Sequence, residues 1–169
     1  MKKAFLFIIL AGLGLTSMVS SDEGGTPKKL PSVLLKDMFG ADVNTAEVSN
    51  DGNPIIISFW ASWCKPCRLE LNTIAESYED WQDETGVKLV AVSIDDERNK
   101  SKVEPIVNAA GWEYDIWLDT NSDFKRAMGV NNIPHTFLLD GDGNIVYSHA
   151  SYMPGDEETL YEEVLKIVE

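Results

Sequence analysis

Two continuous apolar runs dominate the hydrophobic pattern of the chain. Residues 54–60 (PIIISFW) and 87–94 (VKLVAVSI) contain a single charged side chain between them, which is typical of strands buried on both faces. Between these runs the period changes, because apolar residues recur three and four positions apart from Leu71 to Trp81. This spacing predicts an amphipathic helix over 66–84. The centre of the chain is therefore predicted to be a buried strand, a helix and a second buried strand.

Shorter elements are predicted on both sides of this centre. A leading hairpin is expected where strand-like segments at 33–36 and 41–44 flank a turn at Gly40. The later elements are predicted to be a helix with its apolar stripe over 103–110 and a capping box at Ser101 and Glu104, a strand over 116–118, a short helix over 122–128, a hairpin over 136–139 and 145–148, and a helix over 156–168. This alternation predicts an α/β sandwich with a mixed central sheet.

The first twenty-one residues have the parts of an export signal. Two lysines precede an uncharged run over 4–15, and serines then lead into an acidic stretch. Such a segment is typical of a secretory signal that is cleaved before Asp22. The alternative is an uncleaved membrane anchor, although the run is slightly short for a spanning helix. The chain is therefore predicted to comprise a signal or anchor (1–21), a linker (22–32) and one domain (33–169), exported to the periplasm or another extracytoplasmic space.

The charge balance narrows the possible partners. The 169 residues include 14 basic and 28 acidic side chains, which gives a net charge of −14. A surface this negative repels phosphate backbones, so no nucleic-acid partner is expected. The acidic run over 95–97 is interpreted as a solvated strand end.

The only two cysteines, Cys64 and Cys67, are separated by Lys65 and Pro66. A disulfide that closes so short a loop removes little chain entropy, so chemistry explains the pair better than stability does. The pair stands between a buried strand and a helix, where the unpaired amides of the first turn favour a thiolate at Cys64. Lys65 adds a positive charge, and Pro66 is tolerated in a first helical turn. Cys64 is therefore predicted to attack a partner disulfide and Cys67 to resolve the mixed disulfide.

Metal binding is the alternative interpretation of two segments. The cysteines would be half of a zinc site only with two further ligands, and His135 and His149 are the only histidines. The predicted hairpin turn begins like a calcium loop, but Ile145 stands where that loop needs glycine and Ser151 where it needs glutamate. A hairpin turn is therefore favoured, and neither a metal nor a cofactor is expected.

Residues 59–68 (FWASWCKPCR), followed later by Ile133-Pro134, resemble the thioredoxin superfamily. Five further features narrow the resemblance to the exported TlpA/ResA-like thiol-disulfide oxidoreductases. They are the export signal, the leading hairpin, an extra strand–helix segment around 95–120, the run Cys67-Arg-Leu-Glu70 and the stretch TFLLDGDG. The resemblance covers about residues 33–169. It implies a thioredoxin-like three-layer α/β sandwich with a mixed central sheet, an N-terminal hairpin and a strand–helix insertion.

The resemblance also implies a substrate groove. Pro134 would be a cis proline facing the cysteines, and Ile133 would offer backbone groups to an extended substrate segment. Trp63 would form one wall, beside Lys65 and Pro66. His135 is a further candidate at the rim, with an exposed strand side chain as the alternative interpretation.

Two positions depart from the resemblance. Thioredoxins proper carry a buried aspartate six residues before the first cysteine, where this chain has Ser58. Glu70 is the replacement candidate, because it lies one turn after Cys67 and the TlpA/ResA-like family also has an acid there. It would exchange protons with Cys67 near neutral pH; the alternative is an exposed helix glutamate. The second departure is Asn72, where many relatives have a proline that bends the helix.

Two functional hypotheses follow. The first is a thiol-disulfide oxidoreductase that reduces disulfides of exported proteins, with a membrane-embedded electron donor; the resemblance suggests apocytochrome c maturation or general disulfide reduction. Oxidase or isomerase activity stays open, because the cysteine motif does not set the direction of electron flow. The second is a non-enzymatic binding module whose cysteine pair switches partner affinity. A monomer is expected in either case.

Overall fold

The computed structural model describes residues 28–168. The predicted signal or anchor (1–21) and most of the predicted linker (22–32) lie outside these residues. No helix within 28–168 combines the length and the apolar character that a membrane span requires.

Within residues 28–168, seven strands form one mixed sheet, in the order β2-β1-β5-β4-β3-β6-β7. The strands are β1 (Leu34–Asp37), β2 (Asp42–Asn44), β3 (Ile55–Trp60), β4 (Lys88–Ser93), β5 (Asp115–Leu118), β6 (His135–Leu139) and β7 (Ile145–Ala150). The central strands β3, β4 and β5 are parallel, and the outer pairs are antiparallel. The predicted mixed sheet and the leading β1–β2 hairpin are confirmed.

Helices cover both faces of this sheet. They are α1 (Lys65–Thr85), α2 (Val103–Ala110), α3 (Asp123–Ala127) and α4 (Asp156–Val168). One core lies between the sheet and α1, α2 and α4, and contains Ile56 and Trp60 of β3. The other lies under α3 and contains Ile57 and Phe59. Because β3 contributes alternate residues to two cores, it is apolar at almost every position, and the predicted three-layer sandwich is confirmed.

The capping box predicted at Ser101 and Glu104 is wrong. Residues Lys100–Lys102 form a 3₁₀ turn, and α2 begins only at Val103. Lys102 precedes the helix with φ −85° and ψ −18° and makes no side-chain capping bond. A side-chain cap needs extended backbone at this point, whereas the 3₁₀ turn is already helical. The predicted insertion itself is present, since α2 is followed by β5, which lies between β1 and β4.

The turn between β6 and β7 is a hairpin turn, as predicted. The Asp140 carboxylate accepts hydrogen bonds from the backbone N–H groups of Asp142 and Asn144, at 3.0 and 2.8 Å. These bonds close the turn from within, as Asp side chains commonly do.

Strand directions bring three segments to one edge of the sheet. Because β3 and β4 are parallel with Trp60 opposite Ser93, the segments that follow these two strands leave the sheet at the same end. The antiparallel strand β6 begins there, with His135 opposite Phe59. The segments after β3, after β4 and before β6 therefore meet, and the cysteines lie in the first of them.

Candidate active site

The cysteine pair stands at the N-terminus of α1. Cys64 is the N-cap residue, with extended backbone (φ −86°, ψ 100°), and its Sγ accepts a hydrogen bond from the Cys67 N–H at 3.3 Å. The two sulfurs are joined in a disulfide. Since the free amides and the dipole of a helix N-terminus favour negative charge, a reduced Cys64 would be stabilised as a thiolate.

The two cysteines differ in their access to solvent. Cys64 is 5% exposed, whereas Cys67 is completely buried beneath it. Next to Cys64, the indole of Trp63 is 64% exposed, and Lys65 and Pro66 are exposed in the first turn of α1. A partner can therefore approach Cys64 but not Cys67.

Ile133 and Pro134 lie beside this turn. The peptide bond between them is cis, as the resemblance implied. The β3–β6 register places Phe59 opposite His135, so Pro134, the residue before β6, lies near the end of β3 from which the cysteine loop departs. Pro134 is buried, and its carbonyl accepts a hydrogen bond from the Ser151 N–H at 2.9 Å. The predicted groove segment and the cysteine loop therefore lie at the same edge of the sheet.

His135 is half-buried rather than exposed. Its ring stacks on Phe137 at a centroid distance of 4.4 Å and an interplanar angle of 7°, on the face of the sheet that packs against α3. Burial, helped by the neighbouring His149, lowers the pKa of His135 below its ordinary value of 6.5. The alternative interpretation of an exposed strand side chain is therefore wrong.

Glu70 belongs to a buried polar group on the opposite face of the sheet. Ser58, Thr136 and His149 are direct neighbours across β3, β6 and β7, so they form one row, and Glu70 reaches the row from α1. The Thr136 hydroxyl donates to Glu70 Oε1 at 2.8 Å and lies 3.1 Å from the Ser58 hydroxyl oxygen. We call these four residues the Glu70 cluster. Glu70 is 1% exposed, so the alternative of an exposed helix glutamate is wrong.

Hydrogen bonding within the Glu70 cluster is incomplete. His149 Nε2 lies 3.4 Å from Glu70 Oε1, which suits an ion pair but exceeds an ordinary hydrogen bond. Glu70 Oε2 and both ring nitrogens of His149 are covered yet have no hydrogen-bond partner among residues 28–168. Unpaired buried polar atoms are rare in folded proteins and require an explanation. His149 was not predicted from the sequence to lie beside Glu70. Alternation along β7 does put it on the same face as Tyr147.

A second buried carboxylate holds the loop before Cys64. Asp95 is 1% exposed. Its Oδ2 accepts from the Ser62 N–H at 2.7 Å and the Ser93 hydroxyl at 2.9 Å, and its Oδ1 accepts from the Ser62 hydroxyl at 2.6 Å. We call these three residues the Asp95 cluster. The interpretation of 95–97 as solvated is wrong for Asp95, because serines from the ends of two parallel strands surround it; Asp96 and Glu97 are exposed.

Asn72, which stands where many relatives have a proline, makes a side-chain hydrogen bond to another segment. Its side-chain oxygen accepts a hydrogen bond from Trp112 Nε1 at 2.8 Å. Helix α1 continues through this position and ends at Thr85, followed by the capping residue Gly86, whose φ of 67° favours glycine. The bond therefore ties the middle of α1 to the segment after α2.

A mixed sheet between helical layers, with a cysteine pair in the first turn of α1, defines the thioredoxin-like class. The solution structure of a thioredoxin-like protein from Porphyromonas gingivalis is similar, with a TM-score of 0.76 and 51% sequence identity over 85% of this chain and 94% of that one. Within the class, the chain belongs to the AhpC/TSA family, whose profile matches residues 27–148.

Two curated relatives carry thiol-disulfide names. Sporulation thiol-disulfide oxidoreductase A of Bacillus subtilis is 32% identical over 147 residues, which cover 85% of this chain and 87% of that protein. Thiol-disulfide oxidoreductase ResA of Geobacillus thermodenitrificans is 29% identical over 149 residues, covering 86% and 83%. The predicted membership among thioredoxin-like thiol-disulfide oxidoreductases is therefore confirmed at the level of the family.

Proposed function

We propose that the protein reduces disulfides in exported partner proteins outside the cytoplasm. The observation that carries the proposal is the placement of Cys64 at the N-cap of α1. Its sulfur accepts a hydrogen bond from a helix amide, and Cys67 is buried behind it. This arrangement separates an accessible attacking group from a protected resolving group. The names of the relatives support thiol-disulfide exchange as the reaction.

The reaction proceeds in two exchanges. The Cys64 thiolate attacks one sulfur of the partner disulfide, the partner S–S bond breaks, and a mixed disulfide forms while the other partner sulfur leaves as a thiolate. The helix amides and Lys65 stabilise the attacking thiolate. Cys67 then attacks Cys64 Sγ, which forms the Cys64–Cys67 disulfide and releases the second partner thiolate. Two electrons pass from the protein to the partner.

Glu70 takes the proton of Cys67 in the second exchange. Cys67 must lose its proton to become a nucleophile, yet it is completely buried. Glu70 lies one turn along α1 and is also buried, with one carboxylate oxygen free of hydrogen bonds within residues 28–168. A carboxylate in this position acts as a general base toward the thiol. When electrons flow in the reverse direction, it returns the proton.

Residues on both sides of Cys64 form the substrate groove. Trp63, Lys65 and Pro66 lie on one side, and Ile133 and Pro134 lie on the other. An extended partner segment binds along the Ile133 backbone by strand addition. His135, at the start of β6, contributes to the rim only through its backbone, because its ring packs against Phe137.

The setting of the reaction follows from residues 1–21. An export signal or anchor places the domain in an extracytoplasmic space, where a membrane-embedded donor must return Cys64–Cys67 to the dithiol. Apocytochrome c maturation or general disulfide reduction is the proposed task, and the protein acts as a monomer. A reduction potential of the cysteine pair of about −270 mV supports a reductase, whereas one of about −120 mV supports an oxidase.

Trapping the intermediate tests the proposal. A Cys67→Ala variant should accumulate mixed disulfides through Cys64, and alkylation of the reduced wild type should modify Cys64 well before Cys67. Catalytic turnover on a reducible protein disulfide distinguishes the enzyme from a redox-switched binding module, which would bind stoichiometrically. Equal alkylation rates, or turnover that persists without Cys64, would overturn the assigned roles.

A further inference from the structure

His149 connects the buried Glu70 carboxyl to the surface of the protein. Its side chain is 16% exposed, whereas the Glu70 side chain is 1% exposed. Ser58, Thr136 and Cys67 are completely buried. Within the Glu70 cluster, therefore, only His149 reaches solvent.

Packing alone does not account for this histidine. Both ring nitrogens are covered and have no hydrogen-bond partner in the described part of the chain, although leaving a buried polar group unpaired has a free-energy cost. An apolar side chain at this point of β7 would avoid that cost. The ring instead stands 3.4 Å from Glu70 Oε1, with Tyr147 and His135 as its other ionisable neighbours.

We propose that His149 is a positioning residue through which Glu70 exchanges its proton with solvent. The inference rests on the proposed function, because the proton in question is the one that Cys67 loses during resolution. A buried acid that has taken a proton either returns it when Cys67 is reduced again or releases it to solvent, and release requires a group that reaches water. Glu70, Ser58 and Thr136 are sealed from water, so the imidazole is the member of the cluster able to complete the transfer.

We call the transfer of the proton from Glu70 through His149 to water the relay. The Glu70 carboxyl, made neutral by the Cys67 proton, passes that proton to Nε2 of the neutral imidazole, and the resulting imidazolium lies beside a carboxylate again. Because both nitrogens are covered, the ring turns about its Cβ–Cγ bond to deliver the proton to water. The thiolate released from the partner takes a proton from solvent, so the relay carries no electrons and consumes no other reactant.

Single-turnover kinetics of His149→Gln test the inference. Oxidised glutathione is the probe, and the attack and resolution steps are followed separately by stopped flow across roughly pH 5–9. Resolution should slow by about tenfold near neutral pH and lose one inflection of its pH profile, while attack changes by less than about twofold. Ser148→Gln, on the same strand but facing solvent, is the matched control and should behave like the wild type.

Chemical rescue separates proton transfer from a merely structural effect. In His149→Ala, added imidazole should restore resolution in proportion to its concentration. Unchanged resolution and an unchanged pH profile in His149→Gln, or equal slowing of both steps without imidazole rescue, would overturn the inference while leaving the proposed function intact. A wild type that exchanges no disulfide at all would instead overturn the proposed function, and the relay with it.

Discussion

Two buried carboxylates flank the cysteine pair, and their hydrogen bonds differ. Asp95 and Glu70 are both 1% exposed. Asp95 accepts three hydrogen bonds from Ser62 and Ser93, through both of its oxygens. Glu70 accepts one, from Thr136, and its second oxygen has no hydrogen-bond partner within residues 28–168.

The difference indicates different tasks for equally buried acids. A carboxylate whose oxygens are fully bonded stabilises the donors around it and gains little by taking a proton. A carboxylate with a free oxygen has a site at which a proton can arrive and leave. We therefore assign the Asp95 cluster to holding the loop before Cys64 and the Glu70 cluster to proton exchange. Burial alone would not have separated the two.

The largest expected effect is on stability, in Asp95→Ala. Removing the carboxylate leaves the Ser62 N–H and two hydroxyl groups without an acceptor in a buried site, so we expect the free energy of unfolding to fall by about 3 kcal/mol. Urea denaturation measures the change. Glu97→Ala, which removes an exposed acid two residues away, is the control and should match the wild type. If Asp95→Ala is as stable as the control, Asp95 does not hold the loop.

Glu70→Gln should affect the reaction more than the fold. The amide keeps the shape of the carboxyl and removes the proton site, so resolution by Cys67 should slow by about 10–100-fold near neutral pH. Attack by Cys64 should change much less, because its stabilisation comes from the helix N-terminus. Stopped-flow measurement of the two exchanges checks this, with the exposed α1 substitution Glu76→Gln as the control.

Thr136→Val removes the hydrogen bond that Glu70 accepts. Without the hydroxyl at 2.8 Å, the carboxylate loses its fixed orientation, and we expect resolution to slow by about fivefold, since a typical hydrogen bond contributes about 1 kcal/mol. Thr73→Val is the matched control, because its hydroxyl donates to the Leu69 carbonyl of its own helix at 3.0 Å. Equal rates in the two variants would show that Thr136 does not position Glu70.

The smallest effect concerns the pH dependence of stability at His135. Its pKa is lowered in the folded state, so the unfolded chain binds the proton at higher pH. Neutral His135 contributes its full stabilisation when the pH is above the ordinary histidine pKa of about 6.5. This stabilisation is lost as the pH falls below that pKa. Denaturation between about pH 7 and pH 5 should therefore show a shallower slope for His135→Gln than for the wild type. Parallel slopes would contradict this assignment.

The strands and the reactive pair could be predicted because their signals are local. A continuous apolar run is sufficient to identify β3, and the apolar spacing together with the Cys64–Cys67 motif predicts α1 and its first turn. The observed bounds, Ile55–Trp60 and Lys65–Thr85, lie within one residue of those predictions. In these segments the apolar or polar character of most side chains matches their burial or exposure in the fold.

The two carboxylate clusters depend on long-range pairing and were predicted only in part. Asp95 was expected to be solvated, because nothing near it in the sequence indicates that Ser62 approaches through the β3–β4 register. Glu70 was identified by its spacing from Cys67. Its neighbour His149 was overlooked, since their proximity requires the pairing of β6 with β7. Strand register is set by the whole core and cannot be read from a local pattern.

The most direct test of the assigned tasks compares the amide variants Glu70→Gln and Asp95→Asn. The rate of Cys67 resolution would be measured for each folded protein and for the wild type across roughly pH 5–9. We predict that Asp95→Asn keeps the pH profile of the wild type despite lower stability, whereas Glu70→Gln gives a slower and flatter profile. If Glu70→Gln overlays the wild type at every pH, Glu70 takes no part in proton exchange, and the assignment of separate tasks to the two carboxylates is wrong.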